Sequence, residues 1–129
     1  TGAPALAVFD PQVLPGLIGN DAALIAEFLA DFQISARDTA HAIHAACVAG
    51  DWRQVGELAH RLKSSSRSVG AMQLLQVATR IDKATHDQLR LKATPWTEEL
   101  VDCATRTLFA LEDHLEKRRK ARQGGTPEA

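Results

Sequence analysis

The sequence predicts an all-α domain: an antiparallel four-helix bundle with a short additional helix at its N-terminal end. Three observations predict it. Alanine supplies 22 of the 129 residues and leucine 15, and both head the helix-propensity scale. β-Branched and aromatic residues, which favour strands, are sparse, and tyrosine is absent. Apolar residues recur at intervals of three and four over several long stretches, the period of a helix with one buried face. A chain of this length can close one hydrophobic core without disulfide or metal staples.

The elements follow in order. Residues 1–8 show no period and read as a flexible lead-in. Asp10-Pro11 suits a helix start, because Asp can cap and Pro fits the first turn. Val13, Leu14, Leu17 and Ile18 then give a short helix over about 11–18, closed by Gly19-Asn20. Asn20 or Asp21 caps a second helix whose stripe runs Ile25, Phe28, Leu29, Phe32, Ala36, Ala40, Ile43, Cys47. Gly50 stops it in the place where a left-handed residue is common. Asp51 caps a third helix from Trp52, with Val55, Leu58, Ala59, Leu62, Ser66 and Val69 on one side and Gly70 at its end. A fourth runs from about Met72 to Thr85 on Leu74, Leu75, Val77, Ala78 and Ile81. Residues 86–93 read as a connection. Thr94-Pro95 opens a fifth helix from Trp96, built on Leu100, Ala104, Leu108, Leu111 and Leu115. The bundle domain is expected over residues 9–122, with 123–129 a disordered tail. Short links between long helices make neighbours antiparallel.

Charge narrows the function. Fifteen Lys and Arg against sixteen Asp and Glu leave a net of -1. Proteins that bind nucleic acid by neutralising phosphates carry a basic excess, so nucleic acid is not an expected partner. The run Lys117, Arg118, Arg119, Lys120, Arg122 lacks interleaved aromatics and sits at a helix C-terminus, where the dipole favours cations. No apolar run approaches the roughly 20 residues of a membrane span. Cys47 and Cys103 are too few for a disulfide framework and read as buried thiols in a reducing compartment. The chain shows no signal-peptide pattern and starts at Thr1, which reads as a piece of a longer protein or a processed product.

Five histidines remain, and one stands apart. On a wheel of 100° per residue the apolar stripe of the third helix falls within about 50° of one direction, and His60 lies roughly 150° from its centre. Lys63, Ser64 and Arg67 follow at spacings of three, four and seven, so all can neighbour the ring. A neutral imidazole offers a nitrogen lone pair near pH 7 and needs no dedicated base. A phosphorylated imidazole carries about two negative charges and requires cations nearby. Over residues 53–67, Arg53, Arg61, Lys63 and Arg67 outweigh Glu57, a local net of +3 on a chain that is -1 overall.

The segment Ala59-His60-Arg61-Leu62-Lys63-Ser64-Ser65-Ser66, followed by Val69-Gly70-Ala71, resembles the signature of histidine-containing phosphotransfer (HPt) domains. The resemblance extends to the entry segment, Phe9-Asp10 through Gly19-Asn20-Asp21 to Phe32, and covers roughly residues 8–117. Where the family usually has glycine after the lysine, this chain has Ser64. The resemblance implies that His60 accepts a phosphoryl group from a receiver-domain aspartate and passes it to another receiver. It implies no ATP site, no enzyme activity of its own, and Mg²⁺ supplied by the receiver rather than held here. Lys63 would offset phosphate charge, with Ser64 and Arg67 as auxiliaries. Leu14, Leu17, Ile18 and Arg61 are candidates for partner docking. The partners implied are receivers of a hybrid sensor kinase or a response regulator. The domain is expected to be monomeric and cytoplasmic, as a free-standing protein or as the last domain of a membrane-anchored kinase. A helical docking module for receivers that transfers no phosphate is the alternative, and Ser64 is its support.

Two further features are weaker. His41 and His44 have a spacing able to hold a transition metal, but no carboxylate completes a ligand set, and no metal site is expected. Asp82, one turn beyond Ala78, can face the active histidine and orient its ring. Acids at helix ends are mostly solvated, so it is not counted as a site residue. His86 and His114 are expected at the surface.

Overall fold

Caps and glycines set the helix ends. The computed structural model describes residues 6–87 and 90–124, with α1 at Val13–Ile18, α2 at Ala22–Val48, α3 at Trp52–Val69, α4 at Met72–His86 and α5 at Arg90–Gly124. No strand occurs among the described residues. The Asp21 carboxylate accepts from the backbone N–H groups of Ala23 and Leu24 at 3.0 and 3.2 Å. Asp51 accepts from that of Gln54 at 3.2 Å. Each satisfies donors that a helix start leaves unpaired. Gly70 ends α3 in the left-handed conformation, and its N–H and that of Ala71 both return to the Ser66 carbonyl.

The four long helices form a closed ring in which α2 packs on α3, α3 on α4, α4 on α5 and α5 on α2. Two-residue and three-residue links force α3 to run antiparallel to α4 and to α2. The core is filled by Leu29, Ile43, Val55, Leu62, Leu74, Ile81, Leu100 and Leu111, all fully buried. Ala36, Ala40, Ala59, Ala78 and Ala104 are buried among them, and their small side chains let the helices approach closely. No helix among the described residues is long and apolar enough to cross a membrane.

The sequence-based boundaries shift in several places. α1 begins at Val13 rather than Pro11, because the Asp10 carboxylate folds back onto the Gln12 N–H in a turn ahead of it. Phe28 is 45% exposed, since it falls on the flank of the α2 stripe. The fifth helix begins at Arg90, not Trp96, and Pro95 lies inside it. Proline disturbs only the turn before it, and here that turn is anchored. Ala93 is buried, the Thr97 hydroxyl donates to the Thr94 carbonyl at 2.8 Å, and the Thr94 hydroxyl meets Cys47 Sγ of α2 at 3.5 Å. Residues 88 and 89 of the expected connection lie outside the described residues. So do 1–5 of the lead-in and 125–129 of the tail. Of the lead-in, the Leu6 carbonyl accepts from Gln73 Nε2 at 2.8 Å. Of the tail, residues 123 and 124 belong to α5.

Candidate functional site

His60 leaves the outer face of α3 with its side chain 67% exposed. Its Nδ1 lies 3.4 Å from Asp82 Oδ2 of α4. Lys63, one turn along α3, donates to the same oxygen at 3.0 Å. Asp82 itself is buried, its side chain only 8% exposed. Burial alone would raise the pKa of its carboxyl. The hydrogen bonds from Lys63 and His60, with the charges of Lys63 and His86, outweigh burial and hold it below the ordinary aspartate value. An ionised carboxylate can only accept. The proton between the two side chains therefore sits on His60 Nδ1, and the Nε2 lone pair is left on the solvent side of the ring.

That arrangement ties stability to pH. Because the folded pKa of Asp82 is depressed, its contribution is complete above the unfolded value near 3.8 and fades as pH falls through the lower folded value. We expect Asp82→Asn to cost about 1.5–3 kcal/mol at pH 7, the scale of a hydrogen bond to a charged group. The gap from the wild type should narrow below about pH 4. Thermal unfolding of both proteins between pH 7 and pH 3 measures it, and a gap that is constant across this range would refute the assignment.

The remaining sequence candidates divide. Arg61 and Arg67 are exposed, and among the described residues neither makes an ion pair. Arg53 is engaged by Glu57 at 3.1 Å. Ser64 is exposed, and its hydroxyl folds back on the His60 carbonyl at 3.3 Å. Lys63 is not a free cation, since the Asp82 carboxylate occupies it. Of the three apolar docking candidates on α1, two are taken up by the core. Leu14 is 3% exposed and belongs to the core, where α1 seals the bundle, and Ile18 is packed against the same core. Leu17 alone of the three projects outward, 64% exposed. His60 and Arg61 share an open groove of about 770 Å³ with Trp52, Gly56, Thr85 and His86.

The other histidines are placed differently. The Thr97 hydroxyl proton is committed to Thr94, so His44 Nδ1, 3.1 Å from Thr97 Oγ1, must donate and offers no lone pair there. His41 stands exposed beside a separate groove between α2 and α5. Among the described residues, no group of three His, Cys, Asp or Glu is placed to hold a metal ion. His114 was expected at the surface but is half-buried, its ring edge-on to Phe9 at 5.1 Å. Burial, then the charges of Arg118 and Lys117, lower its pKa despite the opposing charge of Asp113. Burial raises the pKa of the Cys103 thiol and keeps it protonated. Asp82, weighed in the sequence as an acid able to orient the ring but not counted as a site residue, makes that contact. Its signal was an acid on the flank of an apolar stripe, four residues after buried Ala78.

The family model for the Hpt domain matches residues 27–121. That span holds all of α3 and α4, and with them His60, Lys63 and Asp82. No curated protein matches the chain significantly, and neither does any solved structure. With a family match over most of its length and a helical bundle of the expected order, the chain belongs to the Hpt domain family, the phosphocarrier modules of two-component signalling.

Proposed function

We propose that His60 is the phosphoryl acceptor and donor of this domain, acting through Nε2. The observation that carries the reading is the contact between His60 Nδ1 and the buried Asp82 carboxylate. With Nδ1 protonated, the Nε2 lone pair attacks the phosphorus of an aspartyl phosphate on a receiver domain. The new bond is nitrogen to phosphorus. The bond that breaks joins phosphorus to the aspartyl oxygen, and the carboxylate leaves with its electron pair. No proton moves, because the attacking nitrogen carried none. The product ring is an imidazolium that keeps its Nδ1 proton, and Asp82 faces that new charge. The return step runs in reverse: a receiver carboxylate attacks phosphorus and neutral imidazole departs.

Phosphoryl transfer depends mainly on in-line positioning and charge stabilisation, which two docked domains can share. In this reading the receiver supplies Mg²⁺ and the domain supplies the oriented ring. Lys63 keeps Asp82 ionised, and Arg61 and Arg67 meet the phosphoryl charge or acidic groups of the partner. Ser64 leaves the ring unobstructed, its hydroxyl being turned to the helix backbone. The domain works as a monomeric carrier, without ATP, between receivers of a hybrid sensor kinase or a response regulator in the cytoplasm.

Incubation with a receiver carrying a labelled aspartyl phosphate tests the reading. Label should pass to this protein and be lost in acid but kept in base, as a phosphoramidate is. Failure of any phosphorylated receiver to label the protein would leave it a docking module only.

A further inference from the structure

The carboxylate that orients His60 is flanked by a second imidazole. His86, the last residue of α4, lies four residues beyond Asp82 and so on the same helix face. Its Nδ1 is 3.0 Å from the Asp82 backbone carbonyl and 3.5 Å from Asp82 Oδ1. A carbonyl can only accept, so this nitrogen carries a proton and gives it to the backbone. Asp82 Oδ1 is left buried, with no hydrogen bond from the described residues. A buried carboxylate oxygen without a donor is costly, while Oδ2 accepts from both His60 and Lys63. The two oxygens of one side chain are thus unequally served, and His86 faces the poorer one.

We infer that His86 is a positioning residue: through Asp82, its protonation state sets how firmly the carboxylate holds His60 Nδ1, and so the readiness of His60 for phosphoryl transfer. This rests on the reading of His60 as the phosphoryl acceptor. Neutral His86 spends its one N–H on the backbone and leaves the carboxylate to His60 and Lys63. Protonated His86 places a full charge beside Oδ1 and competes for Asp82. Its ring is 73% exposed, so it exchanges protons freely with solvent. The positive charge of His86 is among the forces that keep the Asp82 carboxyl ionised. His60 and His86 face the two oxygens of one carboxylate, so a charge on one ring acts on the hold of Asp82 on the other.

The surroundings leave His86 as the variable member. On α4 it has Asp82 and Lys83 before it and Asp87 after. From α3 the groove presents Arg53 and Glu57, which are paired with each other, together with Arg61 and His60. Lys63 is bound to Asp82. No described residue of α5 lines this groove. Of these groups only the two histidines change charge between pH 5 and 8 by their nature.

His86→Gln tests the inference, because glutamine keeps an N–H donor but does not titrate. Rates of transfer from one phosphorylated receiver are compared at pH 7.5 and pH 5.5 for both proteins, so that the receiver's own pH dependence cancels. We expect the ratio of variant to wild-type rate to be near one at pH 7.5 and to depart from one by about threefold at pH 5.5, where the variant lacks the charge that an imidazole takes up. In parallel, an NMR titration of the His60 ring should broaden over two steps in the wild type and follow a single step in His86→Gln. The titration needs no partner, so it decides the coupling even if no receiver labels the protein. A rate ratio that stays at one, with an unchanged His60 titration curve, would overturn the proposal.

Discussion

A His60→Gln protein should fold as the wild type does and accept no phosphoryl group. The ring makes no core contact and is mostly in solvent, so the stability change should stay within about 0.5 kcal/mol, as for other surface substitutions. Glutamine retains an N–H donor for Asp82. What it lacks is a nitrogen with a free lone pair, because the amide lone pair is delocalised. Loss of the nucleophile should lower labelling by at least about a thousandfold, the scale seen when a group that acts as the nucleophile is removed. The other four imidazoles should not rescue it. His44 donates its Nδ1–H to Thr97 and is half-buried, His114 is packed edge-on against Phe9, and His41 makes no ion pair with a carboxylate among the described residues. His86 gives its Nδ1 proton to a backbone carbonyl, and the carboxylate near it is already engaged by His60 and Lys63. The measurement is acid-labile label per molecule after exposure to a phosphorylated receiver. Equal label on the variant would place the chemistry elsewhere.

The path to that site was largely legible in the sequence because it depends on one helix. The wheel of α3 needs only its own residues, and the six positions read as its buried face, Val55 through Val69, are the buried residues of α3. Asp21, Asp51 and Gly70 announce their helix ends through local chemistry. What escaped depends on pairs of helices. Whether Asp82 is solvated is decided by α3, which brings Lys63 and His60 to it across the α3–α4 interface. The same contact turns Lys63 from a free cation into half of a buried pair. Leu14 and Leu17 share one short helix and one residue type, and only packing against α2 and α3 tells which is core. Pro95 read as a beginning because proline favours the first turn. Contacts to α2 hold the preceding turn helical, and no local pattern records them.

Gly70→Ala should cost more than a methyl at any other described glycine, about 3 kcal/mol or more, and it tests how the site is assembled. Gly70 joins α3 to α4 with φ of 88°. A side chain in that region costs about 1–2 kcal/mol from the Cβ alone. Here the added methyl would also run into the Asp10 carbonyl oxygen and lie 3.0 Å from Val13 Cβ. The first obstacle is backbone, held in place by the Asp10 N–H donating to the Gly70 carbonyl at 2.8 Å. Neither group can rotate aside, so overpacking adds about 1–3 kcal/mol. Gly50 supplies the control. Its φ is 75°, but nothing lies within 4 Å of the position a Cβ would take. Gly50→Ala should therefore lose only the conformational term, about 1–2 kcal/mol. Urea unfolding of the two variants separates strain from collision, and equal losses would refute the clamp between Asp10 and Gly70. The difference bears on function. This turn fixes where α4 starts relative to α3, and the His60–Asp82 contact spans those two helices. If the turn yields rather than unfolds, Gly70→Ala should also loosen that contact and slow phosphoryl transfer, while Gly50→Ala, at the far end of α3, should leave the rate unchanged.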